Sequence, residues 1–531
     1  MRRGDRGVGS FAQLETFDVT TGENVIVIHP GSRWLRIGRA SDAVPREIPH
    51  IIARRLRVRP SPATVDPNHS GPKESSAVEE TLTMLRTTLK QHQRLSKRKV
   101  APNAYSQVLT YNRRATPEVI QDHNDPFRIE WLLSSEIKED PVVGEEALRI
   151  ADPNDFIIRY PIRNGCFNVE DYASIEEVLG DIEAIWSHAI EVELKINRRD
   201  LSSFGVVLAI PDIYNRLEVI LLAEVLLRRM GFQQLLVQQS SALVTFGAGF
   251  SSACVVDVGA QKTSVCCVED GYCAQESRVT TMYGGDDITR FLFNLFMRSR
   301  FPYREASLQR MHDWNMVNDL RERFCTVNLS DVNIRLHNFF VRLPDQHTRK
   351  YSFKTYDEGY QAPLCLFYPA IIDAYYQPPD YSRSFLNAYY PTSYATPATL
   401  NNTVYVSDPQ AQYSRIPLDA AITHSIVHAG SIDRAKKLYT SIVVVGGGVS
   451  FIPGFNELLS SRLMYMRPEF LQSVERVDIV SAPRDLDPRV LAWKGGAVLS
   501  RLECAKEMWL SSKDWADFGP KLLRDRVLFQ W

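Results

Sequence analysis

The 531-residue chain predicts an α/β fold of two related lobes facing a shared cleft. Three observations predict it. Runs of β-branched residues end in glycine, as buried strands do before a close turn. Helical runs with apolar residues at three-and-four spacing alternate with them. The strand–turn–glycine signal also occurs in each half of the chain, near 25–40 and 254–264 and again at 442–454.

In chain order, the strand signals are Val25 to Ile28 before Pro30-Gly31, Val206 to Ile210 before Pro211, Cys254 to Val258 before Gly259, and Ser441 to Val445 before Gly446. The helical signals are Ile175 to Val192 and Leu217 to Met230, the latter closed by Gly231 where a left-handed cap is expected. Residues 57–140 and 330–415 lack sustained periodicity, and Ala374 to Asn402 is rich in Tyr, Pro and Asn. Each is too long for a plain connection, so both read as inserted, partly ordered surface segments.

Composition narrows the class. With 44% apolar and 24% charged residues the chain is neither disordered nor membranous in type. The best apolar run, Val219 to Leu227, contains Glu224 and is closed by Arg228 and Arg229, too short and too charged to span a bilayer. No apolar run follows MRRGDRGVGS, so no secretory signal is expected and the sequence reads as soluble and intracellular. Cys266, Cys267 and Cys273 match no zinc spacing and read as small apolar residues of a buried strand. Residues 1–115 carry 20 Lys/Arg against 10 Asp/Glu, densest at Arg54, Arg55, Arg57, Arg59 and at Arg94, Lys97, Arg98, Lys99. Such a surface suits phosphate backbones or acidic partners, or is simply a solvated helix face.

The turns carry the chemistry. His29-Pro30-Gly31-Ser32, with Arg36 beyond, offers N–H groups, a hydroxyl and a guanidinium; Asp257 to Thr263 offers a carboxylate, bare Gly259, Lys262 and a hydroxyl; Gly446-Gly447-Gly448 lets a flat or charged ligand approach closely. Tight-turn N–H groups form anion nests, so three such turns together point to a phosphorylated ligand.

The order of these turns, with VVGEEALR, YPIRNG, DIEAIWSHAI, YGGDDITRFL, DLRERFC, VVVGGGVSFIPGF, LAWKGGAVLS and MWLSSKDWADFGP, resembles the actin family over roughly two thirds of the chain. VIVIHPGSRWLRIGRASD, IPHIIARR, IPDIYN, QKTSVCCVEDG and FPYRE are similar to its nuclear actin-related members. The resemblance implies the actin-like ATPase fold, two lobes in four subdomains around a nucleotide cleft with family-specific insertions. It divides the chain into an extension (1–23), a first lobe (24–240, insert 57–140), a second lobe (241–490, insert 330–415) and a segment returning to the first (491–531). It further implies a nuclear subunit of an INO-class chromatin remodeller, held with actin and another actin-related protein on a motor-subunit helix and touching nucleosomes and DNA.

Carried over residue by residue, the resemblance places ATP on Gly31, Ser32, Arg33, Arg36, Asp257, Gly259, Ala260, Gly285, Arg321, Glu322, Gly447, Gly448 and Arg489, with Mg2+ held through water by Asp257. Three positions depart from the family. His29 and Ala260 stand where actins have aspartates, and Ser240 stands where a glutamine positions the attacking water, with Gln238 and Gln239 adjacent. Lost metal-organising and water-positioning groups imply slow or absent hydrolysis. An apolar groove for a partner helix falls on Phe246, Gly247, Gly249, Tyr272, Leu499 and Cys504, whose alternative is ordinary packing between subdomains. On the groove reading, Leu499→Asp is expected to spare folding and abolish capture of the helix. Arg94, Lys97, Arg98 and Lys99 are the DNA candidates, and the two inserts are expected to block filament contacts. The competing readings are an active ATPase or sugar-kinase relative and a filament-forming protein; no carboxylate base for a kinase is evident with Ala260 and Ser240 in the cleft.

Overall fold

A computed structural model of the chain describes residues 22–56, 76–95, 103–138, 140–375, 416–480 and 486–531. Two mixed sheets share one plan. In the first, Val25–Pro30 pairs antiparallel with Trp34–Arg39 and parallel with Gly205–Ile210, which runs parallel to Gln234–Gln239. In the second, Ser252–Val258 pairs antiparallel with Thr263–Glu269 and parallel with Ile442–Val445, which runs parallel to Ile479–Val480. The four strand signals read from sequence are thus the two hairpin strands and their parallel neighbours. Fully buried runs such as GVVLAI fit strands covered on both faces.

Between the sheets lies a shared core. Val25, Val27 and Val207 from one sheet and Val255, Cys266 and Val443 from the other pack around the helices Ser240–Ala248 and Leu491–Leu499. Trp493 is buried there and donates its indole N–H to the Val27 carbonyl at 3.1 Å. The outer face of the first sheet packs on Ile175–His188 and Arg216–Glu224, with Trp515 and Leu523 of the C-terminal segment in the same core. That segment also adds a short antiparallel strand, Leu510–Ser511, to Gln234–Gln239.

The aperiodic stretches differ from expectation. Ser76–Leu95 is a 20-residue helix whose Val78, Leu82 and Leu85 enter the core of the second sheet, not the first. Arg335–Val341 and Thr348–Thr355 form a hairpin, and Glu118–Ile120 adds a third strand to it. The Asn112 side chain donates to the Ser299 and Lys354 carbonyls at 2.9 Å each, and Asp125 accepts two bonds from Arg342. Residues 76–95, 103–125 and 335–375 therefore build one another, and their pairing partners lie more than 200 positions apart, beyond any local periodicity. Residues 57–75 and 376–415, with the Tyr/Pro/Asn-rich segment, lie outside the described residues. Among the described residues no helix is long and apolar enough to cross a membrane.

Candidate functional site

The three glycine turns converge on one cleft of about 620 Å³ between the sheets. All thirteen residues assigned to a nucleotide line it, from Gly31, Ser32, Arg33 and Arg36 through Asp257, Gly259, Ala260 and Gly285 to Arg321, Glu322, Gly447, Gly448 and Arg489. Gly446, at φ +91°, shows why side chains are absent here: an added Cβ would lie 2.4 Å from the Val258 carbonyl oxygen and 2.5 Å from Asp257 Oδ1.

The glycine N–H groups mostly serve the turns themselves. Gly31 N–H donates to the Trp34 carbonyl and Gly259 N–H to the Lys262 carbonyl, both at 2.9 Å, so the hairpins close identically in the two lobes. Gly448 N–H donates to the Val258 carbonyl and Gly285 N–H to that of Gly259. Among the described residues, the N–H groups of Ser32, Arg33, Ala260 and Gln261 donate to no protein acceptor. Two adjacent donors without a protein acceptor at each hairpin tip, both tips lining the cleft, have the makings of paired anion nests. The hairpin Ile162–Phe167 ties the tips together: Gly165 N–H donates to Ser32 Oγ and Asn164 N–H to Gln261 Oε1.

Most cleft cations have fixed partners. Arg36 Nε donates to Glu47 at 2.8 Å, and Arg489 pairs with Asp487 at 2.6 Å. Arg321 donates to the Gly448 carbonyl at 3.0 Å and to Glu322 at 3.1 Å, holding the third turn in place. Arg33 reaches across the cleft to Asp286 at 2.8 and 3.0 Å, its guanidinium 4.6 Å from the Tyr160 ring and 4.8 Å from that of Trp314. The Lys262 ammonium has neither a hydrogen bond nor an ion pair among the described residues. Asp286, Trp314 and Glu47 escaped assignment from sequence, although Asp286 lies in YGGDDITRFL; Lys262, read from sequence as a group offered by the second turn, lines the cleft.

The family model for actin matches residues 20–528. The chain belongs to the actin family. Within it, the chain is 34% identical to actin-related protein 8 of Bos taurus, covering 96% of this chain and 92% of the bovine protein. It is 33% identical to the probable actin-related protein 8 of Schizosaccharomyces pombe, over 95% of this chain and 84% of that one. The solved structure of human actin-related protein Arp8 in its ATP-bound state superposes with a TM-score of 0.83 at 35% identity, covering 99% of this chain and all of that one.

The positions that depart from the actin family are now placed. His29 lines the cleft, and its Nδ1 is buried without a partner. Enclosure, then Arg36 and Lys262, push its pKa down to about 3, so it is a neutral imidazole near pH 7. Nearby His50, held at about 4 chiefly by burial, bonds the Gly31 carbonyl at 2.8 Å and the Trp186 indole at 3.3 Å. Ser240 faces the cleft and donates to the Ile210 carbonyl at 3.0 Å. Gln238 and Gln239 are buried behind it, Gln239 donating to the Asp212 carbonyl at 2.7 Å, so neither stands in for the missing glutamine. Asp257 has a raised pKa: burial lifts it, and Lys262 pulls it part of the way back.

Of the residues read from sequence as a groove, Tyr272 and Cys504 are exposed and Phe246 is half-buried against Gly271. Gly249 ends its helix at φ +74°, and Gly247 abuts the Leu491 carbonyl of the crossing helix. Leu499 is a correction. It is fully buried in the shared core, so it lines no open groove, and Leu499→Asp would place a carboxylate among apolar side chains and prevent folding. The all-round apolar LAWKGGAVL was the available signal. The basic cluster is also reduced: Arg54 pairs with Asp181 at 2.6 Å, and Arg55 donates to the Ser134 and Ile137 carbonyls. Arg94 is exposed, whereas Arg57, Arg59, Lys97, Arg98 and Lys99 lie outside the described residues. All eight cysteines are free. Cys266 and Cys273 gather with Asp212, but both carboxylate oxygens of Asp212 already accept from Ser241.

Proposed function

We propose that this chain is a non-polymerising, ATP-binding actin-related subunit of a nuclear chromatin remodeller, with little or no ATP hydrolysis. One observation carries the nucleotide reading: two hairpin tips with adjacent N–H groups that have no protein acceptor line one glycine-walled cleft. The N–H pairs of Ser32–Arg33 and Ala260–Gln261 would hold phosphate oxygens, and Arg321, Glu322 and Arg489 border the opposite wall for the nucleoside. The orphaned His29 Nδ1 supplies a further polar partner. The relative solved in an ATP-bound state supports the assignment.

Hydrolysis needs an oriented water and stabilised charge on the transferred group. Here a short hydroxyl already bonded to Ile210 replaces the orienting amide, and a neutral imidazole and a methyl replace two carboxylates. Each loss is expected to cost on the order of 100-fold. ATP should raise the melting temperature, by about 2.7 kcal/mol of stabilisation at a hundredfold excess over Kd. Single-turnover assays should detect no phosphate release above the blank. No thermal shift at millimolar ATP would refute the binding reading, and turnover like that of filamentous actin would refute the rest.

The remodeller assignment is supported by the similarity to actin-related protein 8 members. On this reading a motor-subunit helix docks near Phe246, Gly249, Tyr272 and Cys504, beside actin and a second actin-related protein, in the nucleus. Reversing Arg94, Lys97, Arg98 and Lys99 should weaken binding to nucleosomal or free DNA and flatten its salt dependence. Sedimentation in polymerising salt should leave the chain in the supernatant.

A further inference from the structure

Holding a triphosphate requires something to neutralise it, and in actins that includes a divalent ion. Mg2+ depends on hard oxygen ligands and ordered waters. Five carboxylates line this cleft: Glu47, Asp212, Asp257, Asp286 and Glu322. Four are engaged. Glu47 accepts from Arg36, Asp286 from Arg33, Glu322 from Arg321, and Asp212 from both the N–H and hydroxyl of Ser241. Only Asp257 is left: Asp212, the carboxylate whose charge reaches it, has both oxygens taken by Ser241, and His29 and Ala260 stand at the two neighbouring turn positions. The residues present do not fit a divalent-ion site.

Lys262 sits in that same space. Its side chain lies over bare backbone of the opposing hairpin: a Cβ on Gly165 would stand 2.4 Å from Nζ and 2.6 Å from Cε. The lysine therefore spans from the second-lobe turn to the hairpin Ile162–Phe167, whose Asn164 and Gly165 N–H groups bond the tips of both turns. Lys262 and Gly165 both line the cleft, together with His29 and Asp257. The Lys262 ammonium is the cleft cation without a hydrogen-bonded partner among the described residues, whereas Arg33, Arg36, Arg321 and Arg489 each have one.

Resting on the nucleotide reading above, we propose that this cleft binds ATP without a divalent cation, the Lys262 ammonium taking the ion's place between the phosphates. The ammonium offers three donors and one fixed charge, and it needs no carboxylate to hold it.

The test is the affinity of the full chain for ATP, measured by calorimetry and thermal shift in excess EDTA and in millimolar MgCl2. Equal Kd within about twofold supports the proposal. Lys262→Met should weaken ATP binding in EDTA about tenfold or more, the worth of a charge-assisted bond to phosphate. The double variant His29→Asp with Ala260→Asp should bind tightly only when Mg2+ is present. If the wild-type chain binds ATP in MgCl2 but more than tenfold more weakly in EDTA, the metal-free proposal fails while the nucleotide reading stands. Absence of binding in both buffers sinks both. The wild-type comparison decides the matter even where a variant does not fold.

Discussion

The turns at 29–36 and 257–263 are one device built twice, and they have been put to different uses. Both follow a buried strand of the same sheet plan, and both close with a glycine N–H bonded three residues on at 2.9 Å. The first is fastened on all sides. His50 and Trp186 brace its Gly31 carbonyl from behind, and Arg33 is held by Asp286 and two aromatic rings in front. The second keeps a lysine whose ammonium has no bonded partner. A fastened turn fixes the geometry of the cleft, and a turn with a free charge can respond to what enters it. On the proposed reading, the same local fold supports a scaffold in one lobe and a ligand contact in the other.

The sharpest way to break this contrast is to cut the fastening. Asp286→Ala leaves the Arg33 guanidinium enclosed without its counter-charge, at a cost of about 3 kcal/mol. Asp286→Asn keeps an acceptor and should lose visibly less. Denaturant midpoints of the two variants check this, and equal values would show that the bridge is idle.

The next effect depends on pH. Burial lifts Glu218 to about 7, against an ordinary value of 4.5, while Phe167 N–H and Lys262 pull it down. Because the folded pKa lies above the unfolded one, the native state holds the proton more tightly. Glu218's favourable contribution is complete below about pH 4.5 and is lost as the pH rises through 7. Glu218→Gln keeps the acceptor for Phe167 and cannot ionise. Relative to wild type it should gain on the order of 2 kcal/mol between pH 4.5 and 8. A pH-independent difference in melting temperature between the two proteins would show that Glu218 does not titrate in this window.

What the sequence could disclose follows the same division between local and distant. Each hairpin turn is contiguous, so Val25 to Gly31 and Cys254 to Gly259 announce themselves by composition alone, and so do the three turns that meet in the cleft. The partners that distinguish the turns are remote. Arg33 and Asp286 are 253 positions apart, and no periodicity links them. Residues 118–120 look aperiodic because their strand exists only against 348–350. Leu499 was misassigned because resemblance transfers a position without its burial. Lys262 is legible as a charge in the turn, but its approach to Gly165, 97 positions away, is not.

A smaller perturbation sharpens the second turn. Gly165→Ala adds a Cβ against the Lys262 ammonium at a backbone of φ +77°, costing about 1 kcal/mol in stability. It should also weaken ATP binding by displacing the lysine. Stability lost with ATP affinity unchanged would separate Gly165 from the ligand.

The smallest effect on the empty protein belongs to Lys262 itself. An ammonium without bonded partners at the edge of the cleft contributes little, so Lys262→Met should shift apo stability by less than about 1 kcal/mol. Its signature is electrostatic. Lys262 holds Glu218 and Asp257 below the values that burial alone would give them. With the charge gone, the Glu218-dependent part of the stability profile should move to higher pH, because the folded carboxyl keeps its proton longer. The measurement is the pH at which the wild-type and Glu218→Gln curves diverge, repeated in the Lys262→Met background. An unmoved divergence point would mean that the ammonium turns away from the two carboxyls. The second turn, whose backbone is bonded to Gly285, Asp286 and Gly448, would then be as fastened as the first.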